Sequence, residues 1–260
     1  MATMEGLTAL VTGASRGIGE EIAKRFAREG AHVYVTARTV EEGDHVFAGS
    51  ITSTVNAIRE AGGSAEAIAA DLGKQEDRDR LVERTGPVDV LVNNAAITYF
   101  EPVSTFTESH YRLMFEVQVR APFELAQRYL PAMKERGRGW ILNISSAAAI
   151  HPQGPPYAGG FGGTVYGMCK AALERFTTGL AAEVWSDGIA VNVLSPSGLV
   201  LTPGVLHHKL DQRTPPDRHE PVSFMAEAAY ALCTGDPKVV TGKVTYAKPI
   251  LTELGVPFPE

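Results

Sequence analysis

The chain has 260 residues, 24 Lys and Arg against 30 Asp and Glu, a formal charge of -6, and 44% hydrophobic and 21% charged residues. That composition excludes a disordered chain, and a net negative charge with no cluster of basic residues excludes a general nucleic-acid footprint. No apolar run approaches the roughly 20 residues that span a bilayer, so the expectation is one cytoplasmic domain over residues 1–260 with no membrane or nucleic-acid partner.

In chain order, short apolar runs rich in β-branched residues predict strands at 7–11, 32–36, 65–69, 88–92, 140–144, 189–194 and 243–246. Between them, apolar residues recur with a period near 3.6 at 18–29, 51–61, 75–84, a long stretch around 109–134, 165–185 and 222–233, which predicts helices. Alternation of this kind implies right-handed crossovers onto a parallel sheet covered on both faces, a doubly wound Rossmann-like α/β fold with seven strands. Ligands then gather at the carboxyl ends of the strands. Two Gly- and Pro-rich segments, 154–163 and 202–221, fit no packed element and read as surface loops able to form a lid or line a substrate cleft.

Thr12, Gly13, Ala14, Ser15, Arg16, Gly17, Ile18 and Gly19 follow the first strand and open the first helix. Three glycines in such a turn let backbone approach a pyrophosphate, whose charge rests on the free N–H groups of the helix start. The second strand ends at Ala37 and Arg38, where an NAD site would carry an acid for the ribose hydroxyl. Arg38 and Arg16 instead offer two guanidinium groups to a 2′-phosphate, which predicts NADP (NADPH) as cofactor; as surface residues they would simply be solvated. Asp71 and Leu72 after the third strand suit the adenine, Asp71 alternatively serving as a helix N-cap. Asn93, Asn94, Ala95 and Ala96 end the fourth strand with small residues suited to a ribose, or to a turn.

Tyr166 and Lys170, four apart at the start of a predicted helix, share one face. A nearby ammonium and a positively charged nicotinamide both favour phenolate and move a tyrosine pKa down, making Tyr166 a candidate proton donor and acceptor. Ser146, just past the fifth predicted strand, could hydrogen-bond a substrate carbonyl oxygen. Cys169 beside Lys170 reads as a packed thiol or, less simply, a nucleophile, and two cysteines, Cys169 and Cys233, make no disulfide framework or metal site. His207, His208 and His219 in the second loop could contact substrate or bind metal, but their irregular spacing favours exposure to solvent.

On these motifs, together with Asn192, Val193, Leu194, Ser195 and Pro196, the whole chain resembles the short-chain dehydrogenase/reductase family. The resemblance implies Tyr166 as proton donor, Lys170 as ribose contact and modulator of the phenol, Ser146 as substrate-orienting hydroxyl and Thr202 as a nicotinamide-side contact. It also implies a homo-oligomer, dimer or tetramer, formed through the helices at 109–134 and 165–185. Three departures from the family pattern stand out. Gln118 replaces an Asn of the proton relay, 20 positions separate Ser146 from Tyr166 where the family interval is shorter, and Pro196-Ser197-Gly198 replaces a Pro-Gly pair. Tyr157 lies in that longer interval without a Lys four residues on, so Tyr166 is preferred over it. The expected activity is NADP-dependent hydride transfer with a small carbonyl or alcohol substrate. An NADP-binding sensor or scaffold is the alternative, and a nucleotide-sugar epimerase on the same scaffold a more distant one.

Overall fold

The longest apolar runs of the sequence become the centre of one sheet. The computed structural model describes residues 4–157 and 162–259. Its strands are β1 (Thr8–Thr12), β2 (His32–Ala37), β3 (Ser64–Ala69), β4 (Val90–Asn93), β5 (Gly139–Ile144), β6 (Ile189–Ser195) and β7 (Val244–Tyr246). They form a parallel seven-stranded sheet in the order β3-β2-β1-β4-β5-β6-β7. Every residue of β4, β5 and β6 is buried, the signature of strands covered on both faces, whereas edge strands β3 and β7 expose residues.

Two apolar layers seal the faces. On one side α1 (Gly17–Arg28), α2 (Ile51–Glu60), α8 (Val222–Thr234) and α9 (Ala247–Glu253) bury Ile22, Phe26, Val55, Met225 and Ile250 against β1, β2 and β5. On the other, α3 (Gln75–Thr85), α5 (Ala121–Arg136) and α6 (Thr164–Val184) bury Leu81, Leu125, Tyr129 and Leu180 against the opposite faces of the strands. Arg78 of α3 is itself buried and bonds Glu124 at 2.6 Å, Glu116 at 2.8 Å and the Leu72 carbonyl at 2.6 Å, tying α3 to the helix beside it. Removal of one member of such a buried network strands the others.

The helix predicted around 109–134 is a run of three pieces. α4 (Glu108–Phe115) passes into a π-helical turn (Glu116–Arg120) and then α5. Pro122 has no N–H for the carbonyl four residues back, that of Gln118, and this relaxes the ladder where the wider turn forms. The segment 202–221 is more ordered than its prolines suggest. It holds α7 (Pro203–His207), short 3-10 turns at Asp211–Arg213 and Pro216–Arg218, and a bridge between Leu199 and His219. Among the described residues no helix is long and apolar enough to cross a membrane.

Candidate active site

The chain order reverses between β1 and β4, and the residues just past β1 to β6 open onto one cleft of about 1150 Å³ there. Gly13, Arg38, Ala70, Asn94, Ser145 and Pro196 each follow a strand end and line it. Divergence of loops at a switch point leaves such a crevice in any doubly wound sheet.

The glycine turn forms one wall. Gly13 and Gly17 have φ of +65° and +62°, conformations that L side chains rarely adopt, and a Cβ on Gly13 would come within 2.7 Å of the Ala95 Cα. The N-cap of α1, Arg16, makes no side-chain capping bond, so the first amides of the helix are unclaimed by a cap beside cleft-lining Gly17 and Ile18. Ser15 is buried and also lines the cleft, as does Thr202, whose methyl a Cβ on Gly17 would meet at 3.1 Å. The turn therefore suits an anionic diphosphate: bare backbone, unclaimed amides and no carboxylate.

Gly19 serves differently from the sequence expectation, because it does not line the cleft. A Cβ there would lie 2.4 Å from Asn94 Nδ2 and 2.6 Å from the Gly13 carbonyl. Asn94 Nδ2 donates to the Thr12 and Gly13 carbonyls at 2.9 and 3.1 Å, so Gly19 leaves room for the amide that braces the turn. We expect Gly19→Ala to destabilise the fold by about 1–3 kcal/mol, the usual cost of overpacking. A shift in the urea midpoint at constant m-value checks this, and an unchanged midpoint refutes it.

Asn93 also turns away from the cleft. It is buried, and its Nδ2 donates to Asn143 Oδ1 at 2.9 Å, clamping β4 to β5, while Asn94 and Ala95 line the cleft in its place. Asp71 lines the cleft and is not the cap of α3, which is Lys74. Its Oδ1 accepts the Gly73 N–H at 3.0 Å, and Leu72 lies buried beside it. Arg38 is exposed at the cleft edge with no side-chain hydrogen bond among the described residues.

Ser146, Tyr166 and Lys170 meet at the other end of the cleft. Ser146 follows β5 and caps a 3-10 turn (Ala147–Ala149), its hydroxyl accepting the Ala148 N–H at 3.2 Å. The first turn of α6 packs closely on that element, since a Cβ on Gly167 would sit 2.7 Å from the Ala148 carbonyl; this brings Tyr166 to Ser146. Lys170, one turn on and buried, donates to the Ile144 carbonyl at 2.9 Å, with its Nζ 5.6 Å from the centre of the Tyr166 ring. Burial pushes the ammonium down to about 8.

Burial works against the expected downward shift of the phenol. Burial raises the Tyr166 pKa above its ordinary value, and the Ser146 hydrogen bond offsets this only in part. Desolvation of the phenolate outweighs an ammonium that points to a backbone carbonyl. Burial thus holds Tyr166 as the protonated acid. Cys169 is packed, with burial raising its thiol to about 11, which disfavours a nucleophilic thiolate.

Gln118 sits in the π turn, buried and outside the cleft lining. Its Nε2 donates to the Ile97 carbonyl at 2.9 Å, and its buried Oε1 has no partner among the described residues. Of the Gly- and Pro-rich interval 154–163, no described residue lines the cleft, Tyr157 is exposed, and residues 158–161 lie outside the described part.

The second loop does reach the cleft. His207, His208 and His219 all line it, His207 exposed and the other two half-buried. His208 Nε2 lies 3.2 Å from Thr98 Oγ1, and Phe100 contacts both His208 and Tyr166 edge-on, with ring centres 5.0 and 6.0 Å apart. From the other side, His45, Val46 and Phe47 of the loop after β2 reach the cleft, and the Phe47 ring lies 4.9 Å from that of His207 on α7. No periodicity marks such loop residues.

This architecture is shared. A family profile described as short chain dehydrogenase matches residues 7–212. Dehydrogenase/reductase SDR family member 4 of Sus scrofa is 37% identical over 207 residues, which cover 76% of this chain and 67% of that protein. The fold superposes on a 3-oxoacyl (acyl-carrier-protein) reductase from Agrobacterium tumefaciens, solved with NADP bound, with TM-score 0.81 and 28% identity over 94% of this chain and 93% of the other. It also superposes on a metagenomic short-chain oxidoreductase in complex with NADP, with TM-score 0.74 and 28% identity over 95% and 99%. Since the profile spans the glycine turn, the Ser146 strand end and the Tyr166–Lys170 helix, the chain belongs to the short chain dehydrogenase family of oxidoreductases.

Proposed function

We propose that this protein transfers hydride between NADP(H) and a small ketone or secondary alcohol, acting as a ketone reductase. One observation carries the reading: Ser146, Tyr166 and Lys170 share a cleft with an uncapped helix start lined by glycine and with Arg38. NADP fits the residues present. The backbone at Gly13 and Gly17 and the first turn of α1 would hold its diphosphate, Arg38 its 2′-phosphate, and Asp71 and Leu72 its adenine. NADP bound to the two solved relatives supports the same choice. When bound, NADPH supplies the hydride.

The chain's own groups manage the proton. The Ser146 hydroxyl hydrogen-bonds the substrate carbonyl oxygen and so orients it toward Tyr166. Tyr166 donates its phenolic proton to that oxygen as negative charge develops there. Burial keeps the phenol protonated before the reaction, the state that a proton donor needs. Lys170, still largely cationic at neutral pH with a pKa of about 8, steadies the phenolate that remains.

The test is NADPH oxidation over keto-acyl, steroid, sugar and small aromatic ketones, with NADH in parallel. Turnover with NADPH is expected, and Arg38→Leu should shift the NADPH-over-NADH ratio of kcat/KM at least about tenfold toward NADH, one charge-assisted phosphate contact being worth that much. A wild type that prefers NADH overturns the cofactor assignment. A binding-only role is favoured by Gln118, whose amide is tied to Ile97 and not to Lys170; it predicts NADPH binding with no turnover on any ketone. A homo-oligomer is proposed through the groove that Phe115 of α4, Val119 of the π turn, Phe123 of α5 and Leu173 and Phe176 of α6 line, a mainly apolar surface edged by Glu116 and Arg120 and suited to burial against another subunit. Sedimentation as a monomer would refute it.

A further inference from the structure

The sequence assigns Arg16 to the cofactor phosphate, but most of its guanidinium is already committed. Nε donates to the Ala48 carbonyl at 2.8 Å, and Nη2 reaches the Phe47 carbonyl at 3.2 Å, the Gly49 carbonyl at 2.6 Å and Thr39 Oγ1 at 3.1 Å. The Glu42 carboxylate accepts the Gly49 N–H at 3.1 Å, closing the same loop. The loop rests directly on the glycine turn, for a Cβ on Gly49 would meet the Ser15 carbonyl at 2.4 Å. Arg16 is thus a strut that folds residues 41–49 back over the start of α1.

The loop brings His45 into the cleft lining together with Arg16 and Arg38. His45 Nδ1 accepts the Phe47 N–H at 3.1 Å. With that lone pair engaged, the neutral ring carries its proton on Nε2, the nitrogen free to donate. Burial, followed by the charges of Arg16, Arg38 and His207, holds the imidazole below its ordinary pKa and so keeps the ring neutral. A half-buried imidazole with one nitrogen pinned by backbone and a free N–H beside two guanidinium groups is a built donor for a dianion.

Resting on the NADP(H) reading above, we infer that His45 is a recognition residue for the adenosine 2′-phosphate, giving its Nε2–H to a phosphate oxygen while Arg38 supplies the charge and Arg16 positions the loop. The two isosteres of histidine separate this role from loop support. Asn places Oδ1 where Nδ1 lies and keeps the Phe47 bond without the donor. Gln places an amide N–H where Nε2 lies and gives up the loop acceptor.

Calorimetric titration of the full chain with adenosine 2′,5′-bisphosphate and with 5′-ADP tests it. The wild type should bind the bisphosphate more tightly than ADP. His45→Asn should weaken the bisphosphate roughly five- to tenfold while leaving ADP within about twofold, and His45→Gln should keep most of the affinity. The reverse order of the two variants would make His45 a loop support and overturn the inference, as would equal losses on both ligands. A wild type with no preference for the bisphosphate would sink the NADP reading itself, whereas an intact preference that both variants retain would sink only the role of His45.

Discussion

Tyr166→Phe should lower kcat for ketone reduction by ~10²–10⁴, the range that general acid catalysis supplies, with the Kd for NADPH within about twofold of wild type. The substitution removes one oxygen from a ring already packed edge-on against Phe100, so the shape of the cleft survives. What disappears is the proton source facing Ser146. Single-turnover kinetics with a fluorescence titration of NADPH separates the two effects. A variant that reduces ketones at the wild-type rate would remove Tyr166 from the chemistry, and one that no longer binds NADPH would point to collapse of the cleft.

Lys170→Met should cost ~10² or more in kcat and also change how stability depends on pH. The folded-state pKa of Lys170 is pushed down to about 8 from 10.5. Below pH 8 both states hold the proton, and burying the charge costs the folded chain roughly 3 kcal/mol relative to high pH. Between pH 8 and 10.5 the unfolded chain keeps a proton that the folded chain has released, so wild-type stability gains with rising pH; methionine has no such gain. The difference in unfolding free energy, wild type minus variant, should therefore move toward wild type by about 2–3 kcal/mol from pH 7 to pH 10. Taking the difference cancels Cys233, whose raised pKa pulls stability the other way at high pH, while loss of the ammonium that lowers the neighbouring Cys169 thiol adds to the same movement toward wild type. Parallel profiles in urea would show that Lys170 is not a buried cation.

The family-bearing residues were legible because each answers to local chemistry. A glycine turn between a strand and a helix, and a Tyr and a Lys one helical turn apart, need no distant information to be recognised. Asn93 and Gln118 were harder. Asn93 belongs to a buried β-strand, where alternation decides which of two adjacent asparagines faces the core, and one register step exchanges them. Gln118 lies in a π turn, and the wider spacing there rotates a side chain away from where a regular helix would aim it.

Electrostatics divided in the same way. The sequence pairs Tyr166 with Lys170 and implies a lowered phenol pKa, yet the balance depends on burial, which no spacing reveals. Local spacing reads Arg16 as a phosphate ligand, yet the carbonyls of residues 47–49, more than 30 positions away, take its Nε and Nη2.

By itself the sequence determined the seven strands, most of the helices, though not α7, α9 or the π turn that divides α4 from α5, and the glycine turn and candidate catalytic trio, since hydrophobic period and turn chemistry act over a few residues. Only the tertiary structure decided which loops close on the cleft, which polar groups are already bonded, and which proton each titratable group keeps. Those properties depend on desolvation and on contacts between segments distant along the chain, and neither is written in local spacing.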